Sequence, residues 1–420
     1  MKAVGFDIGT AFIASAQYGK AGNITARFVR DGFLKMKAIP QREEMLKRSA
    51  DIFYVKKDKD LYVIGNAAFD MAVMFGQDLL RPLSSGVISH KEVETEFILN
   101  EILRQVGGDG EKGDIAYYSI PADPVDRSFN NVYHREMFKK FLEGFGYTAT
   151  PMNEGMAVAY AELGDCDFTG LALSAGAGMA NVALSYKGLE IFSFAIHNCG
   201  DWIDKQVAQV RGISTSDAAA EKEKPDFDLL APKNDVEEAI QIYYKAMLEH
   251  VVEYMARAME EHKSKIKIQN LPFVVAGGSS MPKGFLTLFA RILKENSLPI
   301  PVGKLWQAKN PVMSVCKGCL IAAQKDLVKS TYDGVKDISH GDNKKHQYPQ
   351  SFKEITEEID KAKEEKTVLK AGAIADTQKP EKIKNDKSDK SNKEIREDKI
   401  KGQAMSQGLG LAQAIDLGSF

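Results

Sequence analysis

Near the N-terminus, Asp7 follows the apolar residues Val4 and Phe6 and leads into Ile8, Gly9 and Thr10. A glycine at that point lets the main chain approach a phosphate with no Cβ in the way, while backbone N–H groups and the Thr10 hydroxyl donate to phosphate oxygens. Asp7 would repel a phosphate in direct contact, so its natural task is to hold Mg2+ through water. Taken alone, this run reads equally well as an ordinary β-turn. A second glycine-rich turn, Ser174-Ala175-Gly176-Ala177-Gly178, has the same local character. Gly277 and Gly278 follow the apolar run Phe273–Ala276, where bare backbone can lie against the flat face of a base or ribose.

Such turns need rigid supports, and the sequence supplies them. Short β-rich runs (AVGFDI, IFYVK, LYVIG, IAYYSI, LALSAG, VALSYK, FVVAGG) alternate with helical patterns around Val93 to Val106, Arg135 to Phe145, Val236 to His262 and Gly284 to Asn296. This alternation predicts an α/β architecture. Lys2 to Tyr18 and Gly170 to Gly188 each read as a hairpin whose first strand runs into a glycine turn. Two such devices, one opening each half, imply an internal duplication with the ligand between the halves. Small residues at Ala157, Ala159 and Ala161, and at Gly318, Ala322 and Ala323, would let two helices cross closely as a stiff hinge.

The chain has 420 residues, 44% hydrophobic and 27% charged, enough for two or three cores. With 56 basic and 58 acidic residues the net charge is −2, so no overall field draws it to nucleic acid. It shows neither a run of about 18 apolar residues nor a signal-peptide pattern, which predicts a cytoplasmic protein. Four cysteines are too few for a secreted disulfide scaffold. Cys316 and Cys319 form a C-x-x-C without a second pair, and read as small residues packed in a helix. From about residue 331 the apolar content collapses. Apolar residues at helical spacing predict a short amphipathic helix over 352–369, and the charged stretch 371–402 reads as disordered linker. Residues 403–420 regain Leu409, Leu411, Ile415, Leu417 and Phe420, and read either as a docking peptide for a protein partner or as simple disorder.

Five segments taken together resemble the actin and Hsp70 superfamily in order and rough spacing. FDIGTAF is similar to its first phosphate loop, NEGMAVAYA (153–161) to its first connecting helix, and SAGAGMANVAL to its second phosphate loop. VVAGGSSMPKGF (274–285) is similar to its adenosine turn, and SVCKGCLIAA (314–323) to its second connecting helix. Arg81, Pro82, Leu83, Gly86, Val87 and Ile88 match a segment of the bacterial MreB and magnetosome-type filament proteins. The resemblance covers residues 1 to about 325.

It implies an actin-like ATPase fold with two duplicated ribonuclease H-like domains flanking a nucleotide cleft. Domain I would span 1–150, with a small subdomain at about 33–95. Domain II would span 151–330, with a short insertion at about 212–270, the adenosine motif at 274–285 and a closing helix at 314–325. Residues 331–420 form the tail. It also implies ATP and Mg2+ as cofactors. Gly9, Thr10, Ala11, Ser174, Gly176, Ala177, Gly178 and Met179 would bind phosphate. Gly200 and Asp201 follow the second hairpin, Glu221 and Lys224 would face ribose and adenine, and Gly277, Gly278, Ser279 and Met281 would form the adenosine turn. Asp7 would be the metal residue. Asp7 and Glu154 are the catalytic candidates, Glu154 as the group positioning the attacking water or, equally simply, as a helix N-terminal carboxylate.

One departure stands out. The family's second phosphate loop normally begins with an aspartate where this chain has Ser174, and Met179 and Ala180 replace usual hydroxyl residues. An uncharged group there should weaken metal binding and slow hydrolysis. The expected function is therefore nucleotide-dependent self-assembly into cytoskeletal filaments with slow ATP hydrolysis. The alternatives are a nucleotide-sensing adaptor with little turnover and a small-molecule kinase of the same fold. Membrane contact is left open: Phe227, Leu229 and Leu230 form either an exposed apolar loop or, on the more favoured reading, buried core.

Overall fold

The computed structural model describes residues 1–336, apart from 20–21, 50, 76, 78, 90–93, 128–130 and 267, together with 414–416. The predicted helix 352–369, the linker 371–402 and most of the terminal peptide 403–420 lie outside the described residues.

Strands β1 (Ala3–Ile8) and β2 (Phe12–Tyr18) pair antiparallel, Asp7 opposite Ala14 and Ile8 opposite Ile13. β3 (Ile24–Arg30) extends the hairpin. The chain then builds a small three-stranded sheet, with β4 (Phe33–Lys37), helix α1 (Pro40–Arg48), β5 (Tyr54–Lys57), β6 (Asp60–Ile64) and α2 (Asn66–Met74). The short strands β7 (Leu83–Ser84) and β8 (Val87–Ile88) precede α3 (Thr95–Gly107). β9 (Ile115–Ile120) returns parallel to β1, and after α4 (Val132–Gly144), β10 (Thr148–Asn153) adds parallel to β9. The first large sheet therefore runs β10-β9-β1-β2-β3.

Helix α5 (Glu154–Glu162) leads into a second sheet of the same design. β11 (Gly170–Ala175) and β12 (Ala180–Tyr186) form its opening hairpin, β13 (Leu189–Ile196) extends it, and α6 (Gly200–Arg211), α7 (Thr215–Lys222) and α8 (Asp235–His262) follow. β14 (Leu271–Ala276) runs parallel to β11. After α9 (Phe285–Glu295), β15 (Val302–Gln307) adds parallel to β14. α10 (Ser314–Lys336) crosses back, and β16 (Ala414–Asp416) closes the order β13-β12-β11-β14-β15-β16. Apart from β16, the strand order and directions of the two sheets are the same, which is the duplication expected from the two hairpins.

Local sequence explains the main supports. α9 buries Phe285, Leu286, Phe289, Ala290, Ile292 and Leu293, a stripe at helical period that packs on the second sheet. The 28-residue α8 starts where the Asn234 side chain accepts from the backbone N–H groups of Val236 and Glu237, and Ser214 with Asp217 forms a capping box on α7. Phe227 and Leu229 are buried in this core, as favoured over a membrane loop, and Leu230 is exposed. Among the described residues no helix is long and apolar enough to cross a membrane. Cys316 and Cys319 are free thiols buried on α10.

The two small-residue helices do cross closely. A Cβ on Gly318 would lie 1.8 Å from the Ala157 carbonyl oxygen, and one on Gly5 would lie 2.1 Å from the Cys316 carbonyl oxygen. α10 thus meets both α5 and β1 backbone to backbone.

Candidate functional site

The site is built where the two hairpin turns meet. A Cβ on Gly178 would lie 2.3 Å from Thr10 Oγ1 and 2.3 Å from the Gly86 nitrogen, so the second glycine turn, the first one and the β7–β8 turn are in direct apposition. Gly9 is fixed by the same economy of space, since a Cβ there would lie 2.6 Å from the Phe12 carbonyl oxygen. Thr10 is buried and its Oγ1 accepts the Gly86 N–H at 3.2 Å, which leaves its own hydroxyl proton for another acceptor.

Asp7 stands on β1 one residue before the turn. Its Oδ1 accepts from Ser119 Oγ at 3.2 Å, and Ser119 Oγ in turn accepts the Ile8 N–H at 2.8 Å. Ser174 occupies the corresponding place on β11, one residue before the end of its hairpin ladder. Glu154, the first residue of α5, is aimed into the same space. Its Oε2 accepts from Ser174 Oγ at 3.3 Å and from Asn181 Nδ2 at 2.9 Å. Burial pushes both carboxyls well above the ordinary carboxylate range, and the charge of Asp7 pushes Glu154 further. Two crowded carboxylates are stabilised by a cation. Among the described residues no cluster of three or more His, Cys, Asp or Glu side chains is poised for a metal. This donor set fits Mg2+, which binds through one or two carboxylates and keeps most of its shell as water and phosphate oxygen.

The second glycine turn is locked from behind. The Gly176 carbonyl accepts from Ser279 Oγ at 2.7 Å and from Cys199 Sγ at 3.0 Å, and the Ala177 carbonyl accepts the Asp201 N–H at 2.8 Å. Gly200, Asp201 and Ser279 are thereby joined to the turn. Gly277 has φ +91°, and a Cβ there would lie 2.2 Å from the Ala175 carbonyl oxygen, so this position requires glycine. Gly278 is exposed, and a Cβ there would meet its nearest neighbour, the Val312 side chain, only at 4.0 Å. Met281 is exposed, and Ala11 is half-buried, its carbonyl accepting the Asp31 N–H at 2.9 Å. Gly176, Ala177 and Met179 form the turn itself, closed by the Gly176 N–H to the Met179 carbonyl at 3.0 Å.

Glu221 and Lys224 pair with one another at 2.6 Å, and Lys224 is exposed. The lysine of this segment that reaches the turn region is Lys222, which donates to the Gly200 carbonyl at 3.1 Å and to Asp204 at 2.7 Å. Sequence reasoning also passed over Asn181 and Ser119, whose roles follow only from cross-strand register. Arg81 is the largest omission as a site residue. Its guanidinium donates to the Thr10 carbonyl and pairs with Asp201 at 3.0 Å, tying the segment before β7 to the first turn and to the start of α6. Its signal was the Arg-Pro-Leu run, read as a family mark rather than as a contact.

The Volactin family model matches residues 1–323. No curated protein sequence matches the chain. Among solved structures, the MamK double helical filament is similar over 76% of this chain and 98% of its own, with a TM-score of 0.56 at 18% identity. MreB 5 of Spiroplasma citri bound to AMPPNP is similar over 80% of this chain and 98% of its own, with a TM-score of 0.55 at 17% identity. The ADP-bound form of that protein gives a TM-score of 0.54 at 17% identity over 79% and 98%. The fold is the actin-like one.

Proposed function

The chain belongs to the Volactin family, and from that membership and its actin-like fold we propose that it binds ATP with Mg2+ between its two halves and polymerises into filaments. The observation that carries this reading is the apposition of two glycine turns, each ending a strand of a duplicated hairpin, with Asp7 and Glu154 between them. Residues 1–150 and 151–330 act as the two jaws, hinged where α5 crosses α10. The AMPPNP-bound MreB 5 and the MamK filament support the nucleotide and the polymer respectively.

In this scheme backbone N–H groups of residues 9–11 and 177–179, with the Thr10 hydroxyl, hold the phosphates, the Gly176 N–H being used to close its own turn. Asp7 would hold Mg2+ through water, and the ion would supply charge neutralisation at the phosphates. Glu154, fixed by Ser174 and Asn181, orients a water for attack. Gly277, Gly278, Ser279 and Met281 face adenosine, and Lys222 with Glu221 borders the ribose side. A closed cleft then favours a head-to-tail contact, a heterologous interface that generates an open polymer.

A second reading is favoured by one observation. Ser174 offers Glu154 only a hydroxyl where a carboxylate would strengthen the hold on metal, so turnover is slow and the protein acts as a nucleotide sensor. High-speed pelleting with electron microscopy, with and without Mg2+ and ATP or AMPPNP, separates the two. Nucleotide-dependent filaments support the polymer; soluble protein that binds ATP leaves the sensor. Asp7→Ala should abolish Mg2+-dependent nucleotide binding, and unchanged affinity in that variant would remove the site assignment.

A further inference from the structure

The two large sheets share a strand order, and their outer parallel strands, β10 and β15, occupy equivalent places. They differ at the free edge. β10 (T-A-T-P-M-N) carries Pro151, which has no N–H and discourages a further strand. β15 (V-G-K-L-W-Q) contains no proline, and past the register shift between Val302 and Leu305 on its β14 side every residue of it keeps its N–H. On that edge sits β16, antiparallel, with Asp416 opposite Lys304, Ile415 opposite Leu305 and Ala414 opposite Trp306. Among the described residues three of this segment are paired, and β16 follows α10 after residues 337–413.

We propose that the β15 edge is a docking site for an extended peptide, that its occupant is the 414–416 strand of this same chain, and that a second copy can deliver that strand, linking two copies by strand exchange. Three observations carry this. The first is the asymmetry between the two edges, one closed by proline and one open. The second is register: the single charged residue of the docked strand, Asp416, stands across from Lys304, and opposite charges directly across a ladder favour that pairing over a slip. The third is length. The 77 residues between Lys336 and Ala414 have a fully extended reach of about 250 Å, several times the diameter of a domain. A connection of that many residues does not by its length confine the strand to the edge of its own chain, and the same ladder is open to the strand of a neighbouring copy. Main-chain ladder bonds then supply affinity, and the Asp416–Lys304 pairing supplies register. The inference does not depend on nucleotide binding.

The test uses full-length chains in which Cys166, the native thiol that is only partly buried, is replaced (Cys166→Ser). One chain carries Lys304→Cys, a second carries Asp416→Cys, and a third carries both. Directly opposed residues of an antiparallel pair have Cα atoms about 4.5–5.5 Å apart, within disulfide range. Mixing the two single variants under mild oxidation should give a disulfide-linked pair of chains whose yield rises with concentration. Adding Ile415→Pro to the Asp416→Cys chain, which removes a ladder N–H, should cut that yield at least tenfold. Closure of the double variant within single chains, with no linked pair from the mixed single variants, would overturn the exchange. Failure of both to crosslink would overturn the docking site, and a linked pair that survives Ile415→Pro would show that no ladder is involved.

Discussion

Replacing Gly318 by alanine tests the close α5–α10 crossing directly. The added methyl would stand 1.8 Å from the Ala157 carbonyl oxygen and 2.5 Å from its carbon, both backbone atoms of α5 that cannot rotate away. An ordinary carbon-to-oxygen contact is about 3.3 Å, so α10 must move off α5 by about 1.5 Å. Overpacking costs about 1–3 kcal/mol, and a clash with backbone belongs at the top of that range. Alanine regains about 1 kcal/mol of helix propensity, leaving a net loss of about 2 kcal/mol. At roughly 2 °C per kcal/mol for a body of this size, the melting temperature should fall by about 4 °C. Gly144, in α4, has no atom within 4 Å of its would-be Cβ, so Gly144→Ala should instead stabilise by about 0.5 kcal/mol. Thermal and urea melts of both variants read the difference. A Gly318→Ala protein as stable as the parent would refute the close crossing.

Three further outcomes are expected. Arg81→Met removes the pair with Asp201 and the donor to Thr10, and should weaken nucleotide binding about tenfold, read by titration calorimetry. Arg81→Lys should not restore it, because a single ammonium lacks the fork that spans both partners. Ser174→Asp sets a third carboxylate within hydrogen-bonding distance of Glu154, so the variant should be less stable than the parent without Mg2+ and ATP, regain that loss with them, and release phosphate faster; an equal stability difference in both conditions would contradict this. His134 is buried against Phe138 with neither ring nitrogen hydrogen-bonded, and burial pushes its pKa down from 6.5 to about 3. The unfolded chain then takes up a proton below pH 6.5 that the folded chain refuses, so this contribution to stability is complete above pH 6.5 and is lost as pH falls toward 3. By pH 5 the loss amounts to about 2 kcal/mol, and His134→Leu should flatten that limb of the urea midpoint against pH.

Sequence alone determined what is local. Strand alternation and helical stripes located β1, β9, β14, α8 and α9, and glycines where only bare backbone fits marked both turns and Gly277. Small residues foretold the α5–α10 crossing, because an approach of backbones that leaves no room for a Cβ leaves its mark on residue type. Other elements were less legible. β3 and β15 carry arginine or lysine and glycine within short runs, and β10 carries Pro151, a residue tolerated there because its strand lies on an edge. Only the tertiary structure decided which polar groups share a site. Asn181 reaches Glu154 because antiparallel register sets it opposite Ser174, and Lys222 rather than Lys224 reaches Gly200 because of its position on the last turn of α7. Arg81 joins Thr10 and Asp201 across 71 and 120 residues of chain, a separation over which no sequence period carries information. Residue type records what each backbone position must tolerate; which distant positions meet is set by strand order and register, and those emerge only when the sheets are assembled.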